Sequence, residues 1–474
     1  MKIIATLKRS MSIYVAGNLM VKGLSFIAIP IYANIFTPND FGIIEMVIVS
    51  GLFMATLSNP GVDSAFSSLF LKIETYGNTR RSIIFSSVLQ MQIIWGLLIL
   101  LIALFISKPL SEYLGGEKYY WYYFALNFIG VFFTQIMLYV MDGMRLLHRA
   151  LPCFLLLLAQ SVTSIGLLLI FVVSMKMGIL GVFLASTISS FILAIFSWAL
   201  MRNYLMVRVP RKPIVIRVLK ICLPLLPAGV LTYILMNGNR WILEYYFGAE
   251  AVGLFVLAAK FSLFVTIFLE AFRMAWWPLA LRAMQSPGGK GHFYLLSNLY
   301  VGVACAAIVF ITFLSPYLLK NFTAPAYYSA WPMVSIFCWQ VFFYIFALIF
   351  SPGIWVTHKT YLSLPISIAS VIAGVIFSCM LIPKFGAIGA AISNLLIFIV
   401  FCVITIFISE IYWRVNYPIR KFFLQIFVSL MQMLVMVNFY DSLPFWLLFL
   451  IAVLVGFGLV FSSIQLRELR KFIF

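Results

Sequence analysis

The sequence predicts an all-α integral membrane protein with 14 transmembrane helices. They form two parallel six-helix repeats followed by two further helices, with both termini in the cytoplasm. Three observations lead there. The 474 residues are 64% hydrophobic and 9% charged, with mean hydropathy +1.11, far beyond what a soluble domain needs. The apolar residues fall in runs of ~20 or more, the length at which a helix crosses ~30 Å of hydrocarbon. Landmarks also recur about 210 residues apart: Gly143 and His148 with Gly353 and His358, Met177-Gly178 with Phe385-Gly386, and Phe132-Phe133 with Phe342-Phe343.

The first six spans are read at 12–36, 42–71, 82–106, 119–141, 151–174 and 178–200, giving an N-terminal bundle over 1–200. Lys2, Lys8 and Arg9 precede an apolar stretch too long for a signal peptide and without a small-x-small cleavage site, so an uncleaved first helix is expected. A basic cytoplasmic linker follows at 201–217, with Arg202, Arg208, Arg211, Lys212 and Arg217. The second bundle, 218–409, holds spans at 218–247, 252–275, 293–315, 327–350, 361–382 and 386–409. Spans 13 and 14, at 419–440 and 443–465, lie in the C-terminal segment 410–474 after Tyr417-Pro418. Pro224, Pro227 and Asn59-Pro60-Gly61 are the expected break points. Lipid offers no partner to a free backbone N–H or C=O, so helices are required, and alternating strand patterns are absent.

Charge sets the orientation. Of the 32 Lys and Arg, 23 fall on the side of the termini, and only Lys108, Lys118, Lys176, Lys320 and Lys384 on the other. The positive-inside rule then places both termini in the cytoplasm. The net charge of +19 reflects this topology and contact with anionic lipid rather than nucleic acid.

Several chemistries lack their residues. Six cysteines lie scattered through spans without a C-x-x-C pair, and His148, His292 and His358 sit in loops without further ligands at zinc spacing. No Walker A pattern, Gly-rich nucleotide loop or Ser-His-Asp arrangement occurs. No cofactor and no enzymatic activity are therefore expected. The expected outer loops are short, and their acids are only Asp40, Glu112, Glu117, Glu250 and Asp441, too few for a membrane glycosyltransferase or polymerase subunit. The run Tyr119-Tyr120-Trp121-Tyr122-Tyr123 reads as an interfacial aromatic belt.

Ionisable residues inside a membrane are costly, and function is their default explanation. Here they concentrate in two pairs of repeat-related spans: Lys22 in span 1, Glu45 and Asp63 in span 2, Arg240 and Glu244 in span 7, Lys260, Glu270 and Arg273 in span 8. A rise of ~1.5 Å per residue puts Lys22 and Lys260 near the midplane. Glu45 falls within a turn of the interface and is expected to be solvated. Arg240 and Glu244 have the spacing of a local helix pair, as do Glu270 and Arg273. Asp63 aligns with Arg273 across the repeat, so the two could pair when one mouth closes. A duplicated bundle with such a polar centre is the pattern of a transporter whose halves rock about a central site. Lys22, Lys260, Arg240 and Arg273 are the candidate substrate-binding residues. Asp63, Glu270 and Glu244 are the candidates for ion coupling or gating.

The segments Phe36-Thr37-Pro38-Asn39-Asp40-Phe41-Gly42, Pro60-Gly61-Val62-Asp63, Asn237-Gly238-Asn239-Arg240, Val252-Gly253-Leu254-Phe255 and Ala271-Phe272-Arg273-Met274-Ala275-Trp276-Trp277-Pro278 carry a resemblance. In order and spacing the chain resembles the bacterial polysaccharide (O-antigen and capsule) flippases of the multidrug/oligosaccharidyl-lipid/polysaccharide exporter superfamily. Asn239 stands where such families often carry aspartate. The resemblance implies a V-shaped transporter of the bacterial inner membrane that moves undecaprenyl-diphosphate-linked oligosaccharide outward, coupled to protons or sodium. Membrane lipids and other polysaccharide-assembly membrane proteins are the implied partners. The alternatives are a cation-coupled drug exporter of the same fold, and the glycosyltransferase or polymerase subunit weighed above.

Overall fold

A computed structural model describes residues 20, 23–24, 26, 28–71, 78–115, 119–147, 149–202, 211–286, 288–357, 360–440 and 442–463. Among these residues there is no strand. After a helical stretch at 28–35 (α1) come α2 (Pro38–Ser58), α3 (Val62–Leu71), α4 (Asn78–Tyr113), α5 (Trp121–Leu146), α6 (Ala150–Leu168) and α7 (Gly178–Leu200). The second half holds α8 (Lys212–Phe261), α9 (Leu263–Gln285), α10 (Gly289–Phe322), α11 (Trp331–Ile349), α12 (Pro352–Val356), α13 (Ser363–Tyr412), α14 (Ile419–Phe439) and α15 (Phe445–Ser463).

Eleven of the described helical segments are long and apolar enough to cross a membrane, or 12 with the bent α9 taken as one span. The 14 spans expected do not all appear as separate helices, and the first falls partly outside the described residues. Expected span 7 and the first part of span 8 run together in the 50-residue α8, with the rest of span 8 in α9, and spans 11 and 12 run together in the 50-residue α13. A straight helix of that length would be about 75 Å long, more than twice the hydrocarbon thickness. Each is broken instead by a glycine in the left-handed region, Gly248 at φ 74° and Gly386 at φ 55°, a backbone state that side chains disfavour. Pro224 and Pro227, expected as breaks, lie inside continuous helix in α8. Membrane helices tolerate proline where neighbouring groups satisfy the freed carbonyls. The helix also starts at Lys212, within the stretch read as linker.

The chain divides into two compact units. The first comprises 1–28 and 39–245, the second 29–38 and 246–474. In the first, α5 lies against α4 and α7. Thr187 donates to the Leu126 carbonyl at 2.8 Å, and Gly130 lets the two backbones approach at Thr187. The break at Asn59-Pro60-Gly61 does form. Gly61 adopts φ +90°, and the Asn59 side chain accepts from the Val62 amide at 2.8 Å, capping α3. The carbonyls left open at the end of α2 are filled from α4: Trp95 donates to Leu57 and Gln92 to Ser58, each at 3.0 Å.

In the second unit, α11 packs on α10 and α13, around the rings of Tyr300, Phe342, Phe346 and Phe350. Burial, and then the Glu410 carboxylate, push the phenol of Tyr417 in the following loop well above its ordinary pKa. That hydroxyl stays a donor, to the Phe350 carbonyl at 3.0 Å. Helix α15 lies against α10 through small residues. A Cβ added at Gly302 would sit 2.4 Å from the Ser463 Cβ and 2.8 Å from the Leu459 carbonyl oxygen. Gly302→Val is therefore expected to lower stability by about 1–3 kcal/mol, read as a fall in melting temperature of the purified protein. Gly458→Ala on α15 faces open space and serves as the control. Equal melting temperatures for the two variants would count against close α10–α15 packing.

Candidate functional site

In the first unit Arg240 and Glu244 lie one turn apart on α8. Arg240 faces Glu45 of α2, with Nη1 3.6 Å from Oε2. Glu45 is 3% exposed. It sits in the run Ile43-Ile44-Glu45-Met46-Val47, whose apolar members are all buried, so this turn has no solvent face. The expectation of a solvated Glu45 is thus corrected: it is a buried partner of Arg240. The unbroken apolar run around it was the available signal.

The expected local Arg240–Glu244 pair is also replaced by longer-range partners. Glu244, one turn on, is buried and accepts a hydrogen bond from the Tyr119 hydroxyl at 2.5 Å. Tyr119 is therefore not part of an interfacial belt. It is 1% exposed, whereas Tyr120 and Trp121 are 48% and 53% exposed. A ring that carries one hydroxyl can be buried where that hydroxyl finds an acceptor. Beside these pairs, Trp241 donates to the Tyr233 hydroxyl at 2.9 Å, which donates to the Val49 carbonyl at 3.1 Å. These two rings line an apolar cavity of about 480 Å³ between α2, α4, α5 and α8.

Asp63 is exposed in the first turn of α3, where the helix dipole favours a carboxylate. Asp142 of α5 pairs with Arg145 one turn on, at 2.8 Å.

In the second unit, Arg273 and Glu270 form the one-turn pair their spacing predicts. Nε and Nη2 both lie 2.7 Å from Glu270 Oε2. The Lys260 ammonium sits 5.8 Å from the centroid of the Tyr32 ring, a cation–π contact. Lys22 lies outside the described residues, as do His148 and His358. No group of three or more His, Cys, Asp or Glu among the described residues is arranged to hold a metal ion.

Among the described residues, ion pairs thus form between α2 and α8 and within α5 in the first unit, and within α9 in the second. Such pairs can break and re-form as charges enter or leave. The fold is shared with solved membrane transporters. The chain is similar to a structure titled lipid II flippase MurJ, inward closed conformation, at 17% identity, with 96% of this chain and 98% of that chain covered and a TM-score of 0.75. It is also similar to the inward-facing conformation of a multidrug resistance MATE family transporter of the MOP superfamily, at 16% identity, 84% and 98% coverage and TM-score 0.65. An outward-facing conformation of such a transporter matches at 15% identity, 86% and 96% coverage and TM-score 0.61. No curated protein matches the chain. The family described as polysaccharide biosynthesis protein matches residues 7–284, more than half of the sequence. The chain belongs to that polysaccharide biosynthesis family.

Proposed function

We propose that the protein is a flippase that moves undecaprenyl-diphosphate-linked oligosaccharide, an O-antigen or capsule repeat unit, across the bacterial inner membrane by alternating access coupled to protons or sodium. The observation that carries this reading is the set of contacts Arg240–Glu45, Arg273–Glu270 and Lys260–Tyr32 on apolar helices, in a chain of the polysaccharide biosynthesis family. A diphosphate-linked glycan is anionic and polar, while its prenyl tail can stay in lipid. Cations at mid-depth offset the desolvation of the diphosphate. Lys22 and Lys260 are the proposed diphosphate contacts, with Arg240 and Arg273 assisting entry and exit. Asp63, Glu270 and Glu244 are the proposed coupling acids. Fourteen spans with both termini in the cytoplasm complete the proposal.

A cation-coupled drug exporter is the second reading, favoured by the shared fold of the multidrug transporters. The family and the fuller coverage by the lipid II flippase fold favour the first. Deleting the gene should leave lipid-linked oligosaccharide accumulating in the cytoplasmic leaflet. Lys260→Ala and Lys22→Ala should each reduce polymer export at least about tenfold, as for loss of one charge-assisted contact, with normal amounts of protein in the membrane. Full export by both variants would overturn the diphosphate-binding role. Unchanged distribution of the lipid-linked intermediate in the deletion strain would overturn the flippase reading.

A further inference from the structure

At one end of the first unit, the end of α3, the start of α4 and the start of α8 enclose a cavity of about 290 Å³. Its walls divide by chemistry. Leu69, Ile83, Ile84, Pro213 and Ile214 are apolar, and the side chains of Arg211 and Arg217 complete the lining, with no carboxylate among the described lining residues. Arg211 is fixed by its backbone N–H, which donates to Ser87 Oγ of α4 at 3.3 Å. Both arginine side chains are exposed rather than packed away, and neither forms an ion pair among the described residues.

The helices that meet here are ends of apolar spans, so the cavity lies at the membrane–water boundary. Under the orientation proposed above, this is the cytoplasmic boundary. Two cations beside an apolar wall at that depth match a phosphodiester headgroup whose glycerol and acyl chains continue into lipid. The volume lies at the lower limit of ligand pockets. It suffices for a phosphodiester headgroup.

The geometry points to a binding site for an anionic glycerophospholipid headgroup, held by Arg211 and Arg217 at the start of α8. A bound lipid would pin the first turn of α8 to α3 and α4. It would thus tie the membrane's anionic lipid content to the helix that carries Arg240 and Glu244.

The test uses the full-length protein purified in neutral detergent. Its melting temperature is followed during titration with short-chain phosphatidylglycerol, short-chain phosphatidylcholine or inorganic phosphate. A ligand that binds only the folded state raises the melting temperature with concentration. Phosphatidylglycerol should stabilise the wild type, and the other two should not. Arg211→Gln with Arg217→Gln should weaken the phosphatidylglycerol effect about tenfold, as expected for lost charge-assisted hydrogen bonds. Arg149→Gln with Arg202→Gln removes the same charge elsewhere and should leave the effect intact. Should the arginine double variant not fold, Ile214→Trp fills the apolar half of the cavity and should also abolish the phosphatidylglycerol effect. An equal response to phosphatidylcholine, or an unchanged response in the arginine or tryptophan variant, overturns the site. A matching response to inorganic phosphate overturns its assignment to lipid. The readout requires neither transport nor orientation, so its failure is distinct from failure of the flippase reading.

Discussion

Arg240→Ala is expected to cost about 3 kcal/mol of stability and to abolish polymer export. The magnitude follows from the burial of its partner. Glu45 is almost fully enclosed and Arg240 lies 3.6 Å away. Removing one member of a buried pair leaves the other charge without its counterion, at a cost of roughly 3–5 kcal/mol. The lower end applies because the Arg240 side chain remains 18% exposed. A double-mutant cycle with Glu45→Ala gives the coupling. If the two losses add to within about 0.5 kcal/mol, the residues do not act as a pair. Glu45→Leu with Arg240→Met goes further. Replacing a buried pair by apolar side chains of similar volume is often neutral for stability. That double variant should therefore recover its melting temperature and still fail to export polymer, because a cation at 240 is part of the proposed substrate path. Recovery of both would make the pair purely architectural.

The structure shows which parts of this protein are legible in its sequence. Two landmark pairs of the expected repeat were, because they rest on residue identity and not on partners. Gly178 and Gly386, matched by position in the repeat, both adopt positive φ, at 59° and 55°. Phe132-Phe133 and Phe342-Phe343 both form edge-on ring pairs. The Glu270–Arg273 pair was legible too, since one turn of helix brings residues three apart together. The same local rule misassigned Arg240. Its partner Glu45 and the Glu244 partner Tyr119 come from other helices, and periodicity carries no information on which helices touch. Depth alone suggests a solvated Glu45, yet depth in a bundle does not distinguish a residue facing water from one facing a neighbouring helix. Pro224 and Pro227 show a similar limit. A proline removes an N–H wherever it stands, but whether the helix breaks there depends on what surrounds the open carbonyl.

Glu244→Gln separates a coupling role from an architectural one. Glutamine keeps the length of the side chain and a carbonyl oxygen that can accept the Tyr119 hydroxyl, so the buried contact survives. What disappears is the ability to carry a negative charge and to take up or release a proton. If Glu244 is a coupling acid, this variant should melt close to the wild type and lose about tenfold or more in export rate, the range of a typical coupling free energy. Tyr119→Phe inverts the experiment. It leaves the carboxylate in place and removes its buried donor, which should cost about 1–3 kcal/mol while transport by the surviving folded protein continues. The two substitutions thus act on opposite quantities: glutamine on transport with the fold kept, phenylalanine on the fold with transport kept. Wild-type export by Glu244→Gln would reduce Glu244 to the acceptor that keeps Tyr119 buried. The proposed ion coupling would then rest on Asp63, exposed at the start of α3, and on Glu270, already held by Arg273. Glu270→Gln would be the next substitution to measure, because it removes a carboxylate charge at the Arg273 pair just as Glu244→Gln removes one beside Tyr119.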